Sequence, residues 1–405
     1  MLKYLFEFLE KYDLPGQGLM NYLSFRAMLA SVISIAVAIF LGKRVIAFLQ
    51  KKQIGETIRD LGLEGQMNKK GTPTMGGVII IGALMISVLL VCDLSNIYIQ
   101  ILIFTTLWCG GLGFRDDYIK VFKHDKNGLS EKKKLLGQFI LGIIVAATVC
   151  FSPKIVVRET STTIDENTQE EITIREDVVK TTTTTIPFVK DHEFDYASLS
   201  PFKGALGWYC KWAIYALVII FIILACSNGA NLTDGMDGLS TGTTAIVGVV
   251  LGILAWLSGN VIDSHYLNIM FIPGSGEIAV FMAGFVGALG GFLWYNTFPA
   301  QVFMGDTGSL TIGGIIGVSA VLLRKELLLP VLCGIFLVES LSVLLQRGYF
   351  RYTRKKYGTA KRLFLMAPIH HHFQKKGIPE PRIVTRFWLV GILLAVSTLA
   401  LLKIR

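Results

Sequence analysis

The residues of this chain that could do chemistry are carboxylates, amides and histidines set hard against apolar sequence. Asp116 and Asp117 stand in Phe114-Arg115-Asp116-Asp117-Tyr118-Ile119-Lys120, at the end of an apolar run. Two acids beside a base suit a divalent cation held next to a phosphate, or one carboxylate tuned to take a proton. Asp117 and Lys120, three residues apart, are expected to share a helix face. Asn228, Asn231 and Asp234 recur every three residues, with Asp237 just beyond, in the stretch NGANLTDGMDGL. A helical turn would align them, and the glycines between them allow close backbone approach to a ligand. Asn and Asp can bind ribose, base edges or metal-bound water. Asp306 closes a third cluster, running from Asn296 through Phe303, and precedes a turn rich in Gly, Thr and Ser. It is expected either to cap the helix that follows or to hold Mg²⁺ opposite a phosphate.

His370, His371 and His372 make up half of the chain's six histidines. Adjacent side chains diverge in a helix and alternate in a strand, so one shared metal is disfavoured. Phosphate donors or a proton-transfer role fit better. Lys69 and Lys70 precede a Gly/Thr/Pro turn, which suits contact with a diphosphate. The spacing is not that of a P-loop, so ATP hydrolysis is not implied. Glu339 lies inside an apolar run and is expected to pair within the bundle or to line a lipid path.

The elements that must position these residues follow from composition. The chain has 405 residues, 52% of them hydrophobic and 17% charged. Soluble proteins average roughly 25% charged. An ordinary soluble enzyme and a disordered chain are therefore excluded, and a polytopic membrane protein is the class expected. Ten apolar runs of about spanning length fall at 22–42, 76–92, 96–114, 135–152, 209–227, 239–258, 277–296, 308–323, 327–346 and 386–403. The expected fold is all-α, with about ten transmembrane helices. The six cysteines lie in or near apolar runs and read as small apolar residues rather than a disulfide framework. Residues 1–17 show no cleavable signal peptide.

Charge gives the orientation. Five alternate segments, 43–75, 115–134, 228–238, 297–307 and 347–386, carry 25 of the 39 Lys/Arg but 11 of the 29 acids. Positive charge marks the cytoplasmic side, so all the clusters above face the cytoplasm and both termini face outward. The net charge of +10 is that of basic inner loops, and no nucleic-acid partner is implied. Stretch 347–366 interleaves Arg and Lys with Tyr, Phe and Leu, as an amphipathic segment on the inner membrane surface would. The outer segment 152–206 holds ten acids and five consecutive threonines, and Glu171–Arg175 alternates with period two. A small β-hairpin or two is expected there. The domain organisation is thus residues 1–151 with spans 1–4, the insert 152–206, and 207–405 with spans 5–10.

Together, KGTPTMGG, DDYIK, NGANLTDGMDGLS, NTFPAQVFMGDTGSL and APIHHHFQKKG closely resemble the phospho-N-acetylmuramoyl-pentapeptide-transferase family of the polyprenyl-phosphate N-acetylhexosamine-1-phosphate transferases. The resemblance runs in order from about residue 20 to the C-terminus, except across the insert. It implies ten spans in a bacterial inner membrane, an active site on the cytoplasmic face and periplasmic termini. It also implies Mg²⁺ dependence and a homodimer. The implied reaction transfers phospho-MurNAc-pentapeptide from UDP-MurNAc-pentapeptide to undecaprenyl phosphate, giving lipid I and UMP. Asp116, Asp117, Asp306 and His371 fall on catalytic positions of the family. Asp306, with Asn231, falls at the magnesium. Asn231, Asp234 and Asp237 match the nucleotide-side loop, and Phe303 the aromatic that stacks on uracil. Lys70, His370 and His372 match the diphosphate region. Lys120, Asn228 and Asn296 match substrate-side positions. Two alternatives remain open on sequence: a related UDP-N-acetylglucosamine sugar-1-phosphate transferase, and a membrane transporter, since intramembrane acids also occur there.

Overall fold

A computed structural model describes residues 1, 2, 4, 6, 17–51, 71–123, 125, 128–164, 171–186, 193–267 and 269–402. Lys69 and Lys70 lie outside these described residues. The helices are α1 (Leu23–Lys51), α2 (Gly77–Val91), α3 (Ile97–Phe122), α4 (Glu131–Phe151), α5 (Gly204–Thr233), α6 (Leu239–Ser258), α7 (Val261–Leu267), α8 (Gly276–Asn296), α9 (Gly305–Leu322), α10 (Leu329–Leu332), α11 (Gly334–Tyr357), α12 (Ile369–Lys375) and α13 (Glu380–Leu401). Among the described residues eight are long and apolar enough to cross a membrane: α1, α3, α4, α5, α6, α8, α9 and α13. A ninth span is the pair Glu326–Leu332 and Gly334–Tyr357, bent by 78°. The apolar α2, at 15 residues, matches the remaining run. The expected ten-run, all-α membrane architecture is the one observed.

The helices extend beyond the apolar runs where the polar clusters begin. α5 continues through Asn228 and Asn231 to Thr233, so this cluster rides on a helix end rather than in a loop. α11 continues to Tyr357, so residues 347–357 of the basic amphipathic stretch are helical and 358–366 lie beyond the helix.

Small residues set how closely the helices meet, since packing rather than water drives association in lipid. In α9 every residue from Thr307 to Leu322 is buried. A helix apolar on all sides belongs at the centre of a bundle. A Cβ on Gly313 would strike the Cys226 carbonyl of α5, and one on Gly314 the Cys109 side chain of α3. These approaches hold α9 between α3 and α5, the two helices that carry the other clusters.

The insert forms two two-stranded antiparallel sheets, as the hairpin expectation required. β1 (Val157–Ile164) pairs with β2 (Glu171–Val179), and β3 (Thr183–Thr185) with β4 (Glu193–Asp195). The threonine run is buried, not solvated. Thr185 N–H and Thr184 Oγ1 both donate to the Arg324 carbonyl, at 3.0 Å each. Lys325 Nζ donates to Thr185 Oγ1 at 2.6 Å. Arg324 and Lys325 follow α9, so the insert docks at the end of the bundle opposite Asp306, about 27 Å away along the helix.

Candidate active site

α9 starts at Gly305, whose φ of +71° a side chain would strain. Its first N–H groups lack intrahelical partners. They are satisfied from another helix: Asp117 of α3 accepts from Asp306 N–H at 3.1 Å, Thr307 N–H at 2.8 Å and Thr307 Oγ1 at 2.6 Å. Asp117 is therefore the cap of α9, a task the sequence reading gave to Asp306 as one option. Glycines make the approach possible. A Cβ on Gly113 would run into the Asp306 carbonyl, and one on Gly77 into the Gly308 backbone. The Pro73–Gly77 segment is tied to the same place. Phe303 N–H donates to Pro73 O at 2.8 Å, Gly76 N–H to Phe303 O at 2.8 Å, and Gly77 N–H to Met304 O at 2.9 Å.

Above this cap lies a charge cluster. Lys120 Nζ is 2.5 Å from Asp116 Oδ2 and 3.3 Å from Asp306 Oδ2. Lys134 Nζ, from α4, is 2.9 Å from Asp116 Oδ2 and 2.5 Å from Asp306 Oδ2. Leu129 N–H donates to Asp116 Oδ1 at 2.6 Å. Lys120 thus pairs with Asp116, a full turn back, and with the distant Asp306 rather than with Asp117. Three carboxylates face two ammonium groups, a surplus of one negative charge in a part-buried place. Oxygens of Asp116, Asp117 and Asp306 all lie within 4.8 Å of one another, so the group is able to hold a metal ion. Hard carboxylate oxygens match magnesium's preference. Lys134 was missed in the sequence because Lys132–Lys134 reads as loop charge. Its place one turn into a helix, three residues after Glu131, was the available signal.

Asn231 turns its amide nitrogen to Asp306 Oδ1, at 2.9 Å, and to Ser309 Oγ, at 2.8 Å. Any metal contact from Asn231 would have to use its oxygen. Asp234 caps the end of α5. Asp237 Oδ2 accepts from Ala300 N–H at 3.0 Å, and its own N–H donates to Glu380 Oε1 at 2.8 Å. Asn296 is buried, accepts from Gly238 N–H and Thr241 Oγ1, and donates to Val302 O. Asp237 and Asn296 therefore stitch the second and third clusters together. Phe303 is half-buried beside Asp306's helix start.

The histidines share α12 and diverge, as adjacent residues of a helix must. His370 is fully buried, with Nδ1 3.0 Å from Glu339 Oε2 of α11. The contact brings Glu339 a neighbour but not a hydrogen bond, since neither of its oxygens has one among the described residues. His371 is half-buried, with Nδ1 3.2 Å from Gln374 Oε1. His372 Nδ1 accepts from Leu365 N–H at 3.1 Å. Partial burial and the nearby Lys376 charge lower its pKa. A groove of about 720 Å³ is lined by Leu232, Phe350 and Leu365 together with Arg347, Arg351 and Arg362.

Known proteins match this chain over most of its length. A model described as "Glycosyl transferase family 4" matches residues 99–324, and "Phospho-N-acetylmuramoyl-pentapeptide-transferase signature 1" matches 69–81. Relatives named phospho-N-acetylmuramoyl-pentapeptide-transferase are 55% identical in Flavobacterium psychrophilum, 53% in Parabacteroides distasonis and 51% in Porphyromonas gingivalis, each aligned over the whole of both chains. With the acids of α3 and α9 gathered at one bundle end and identity of this extent, the chain belongs to the phospho-N-acetylmuramoyl-pentapeptide-transferase family.

Proposed function

We infer that this membrane enzyme transfers phospho-MurNAc-pentapeptide from UDP-MurNAc-pentapeptide to undecaprenyl phosphate, releasing UMP and forming lipid I. The observation that carries the reading is the meeting of Asp116, Asp306, Lys120 and Lys134 from three helices at one end of an apolar bundle. The reaction exchanges one phosphoanhydride for another, so its demand is positioning and charge neutralisation.

The metal is read as Mg²⁺, held in this group of acids by Asp306 with the side-chain oxygen of Asn231. When bound it neutralises diphosphate charge. The two lysines now paired with these acids are free to turn to phosphate oxygens once substrate arrives. Asp117 is tied to the start of α9 by three hydrogen bonds, whereas the lysines on Asp116 Oδ2 turn away to phosphate in this scheme, so Asp116 is assigned as the base. In this scheme Asp116 takes the proton of the lipid phosphate. A lipid-phosphate oxygen then attacks the sugar-bearing phosphorus, and the bond to UMP breaks. The groove at Leu232, which mixes apolar side chains with three arginines, suits a lipid phosphate. His371 and His372 are both part-exposed and able to reach a substrate, and His371 is read as the catalytic one. His370 acts through its pairing with Glu339. Lys70 is assigned to the diphosphate by resemblance. The active site is placed on the cytoplasmic face of the inner membrane, with periplasmic termini, and the assembly is read as a homodimer.

The test is UMP release from UDP-MurNAc-pentapeptide by the purified protein, with undecaprenyl phosphate and Mg²⁺ each omitted in turn. Release is expected only when both are present. UDP-N-acetylglucosamine run alongside should be inert, and its use as substrate would favour the related sugar-phosphate transferases. Asp306→Asn is expected to lose about 100-fold or more in rate. Normal activity in that variant would remove Asp306 from the metal.

A further inference from the structure

One turn along α4 from Lys134, a second polar layer joins α4, α5 and α9. Gln138 lies on α4 four residues after Lys134, so the two share a face. It is fully buried, and so is Ser227 of α5. Gln138 Nε2 donates to Ser227 Oγ at 3.1 Å, and Ser227 Oγ donates to Leu310 O of α9 at 3.1 Å. Asn228 Nδ2 donates to Gln138 Oε1 at 2.8 Å and to Leu224 O at 2.8 Å.

The polarity of this relay is fixed by its two ends. Leu310 O and Leu224 O are backbone carbonyls and only accept. Ser227 gives its one proton to Leu310, so it must accept from Gln138. The Gln138 nitrogen therefore faces Ser227 and its oxygen faces Asn228. Both amide hydrogens of Asn228 are then engaged, one on Gln138 and one on Leu224. Its Oδ1 remains, with no partner among the described residues. One turn along α5, Asn231 is fixed in the same sense. Ser309 Oγ donates to Gly305 O at 3.0 Å and so accepts from Asn231, whose other hydrogen goes to Asp306. Two amide oxygens are thus left as acceptors on one face of α5.

We propose that Gln138 is a positioning residue for the transfer reaction, fixing the Asn228 amide so that it offers an acceptor oxygen, not a donor, to an O–H or N–H of the sugar nucleotide. Gln138 touches no substrate and acts through Asn228. The inference rests on the reading of Asn228 as a substrate-side residue, and Asn228→Ala alone tests that reading.

The experiment is a double-mutant cycle on the purified enzyme, with KM measured separately for UDP-MurNAc-pentapeptide and undecaprenyl phosphate. Gln138→Leu is expected to lower kcat/KM for the sugar nucleotide about tenfold, the loss of one well-placed hydrogen bond. The KM for the lipid phosphate should stay unchanged. In an Asn228→Ala background the same change should cost less than about twofold, because the group it positions is gone. Ser227→Ala, which cuts the relay at its other end, should reproduce the Gln138→Leu phenotype and stands in for it if that variant does not fold. Multiplying effects in the cycle, or an equal rise in both KM values, would overturn the proposal and leave Asn228 in place. A fully active Asn228→Ala would overturn the reading of Asn228 and the proposal with it.

Discussion

Asp116 and Asp117 are adjacent, yet the fold gives them opposite surroundings. Asp117 receives three hydrogen bonds from the start of α9, whereas Asp116 Oδ2 meets two lysine side chains. Their alanine variants should therefore fail differently. Asp117→Ala leaves buried N–H groups unpaired and should cost about 1–3 kcal/mol of stability along with activity. Asp116→Ala should abolish UMP release while lowering the thermal unfolding midpoint less. Unfolding curves and rates for the two variants measured side by side check this. The pair was legible in the sequence as acids near hydrocarbon, which is costly without a purpose. Which acid does which task was not, because it depends on Thr307, 190 residues away. The same limit hid Lys134 and the Glu339–His370 pair, both made by contacts across the bundle.

Helices were the most legible elements, since an apolar run bounded by polar residues needs no partner to be recognised. Their approach distances were less so. Glycines that read as permissive turned out to be points of contact between backbones. Gly113→Ala removes no functional group, yet its methyl would meet the Asp306 carbonyl. Overpacking of this kind costs about 1–3 kcal/mol. The variant should lower kcat for UMP release while its KM for the lipid substrate holds, because the helix that moves carries Asp306. At the other end of α9, burial pushes the Lys325 amine down to about 8, against the opposing pull of Glu326 and Glu193. An unfolded lysine titrates near 10.4. Between these values the unfolded chain binds the extra proton, so stability should rise with pH from about 8 to about 10. Thermal midpoints across that range should climb in the parent and stay flatter in Lys325→Met.

At the scale of the whole molecule, Asp116, Asp117 and Asp306 and the lysines Lys120 and Lys134 gather where α3, α4 and α9 meet. The insert was visible as a break in apolar composition, and its strands as threonine and alternation. Its docking was not visible, because five threonines in a row look like solvent-facing sequence. They are buried because the α9 end offers a free carbonyl and an ammonium that need partners. Both joints depend on late parts of the chain. Thr184 awaits Arg324, 140 residues further on, and Asp116 awaits Asp306. Ribosomes add roughly 5–20 residues per second, so the insert emerges on the order of ten seconds before its seat exists. The same ninth helix then completes both ends of the molecule at once. Biogenesis therefore yields no half-active intermediate: a nascent chain halted before α9 has neither its reaction centre nor a seat for its insert.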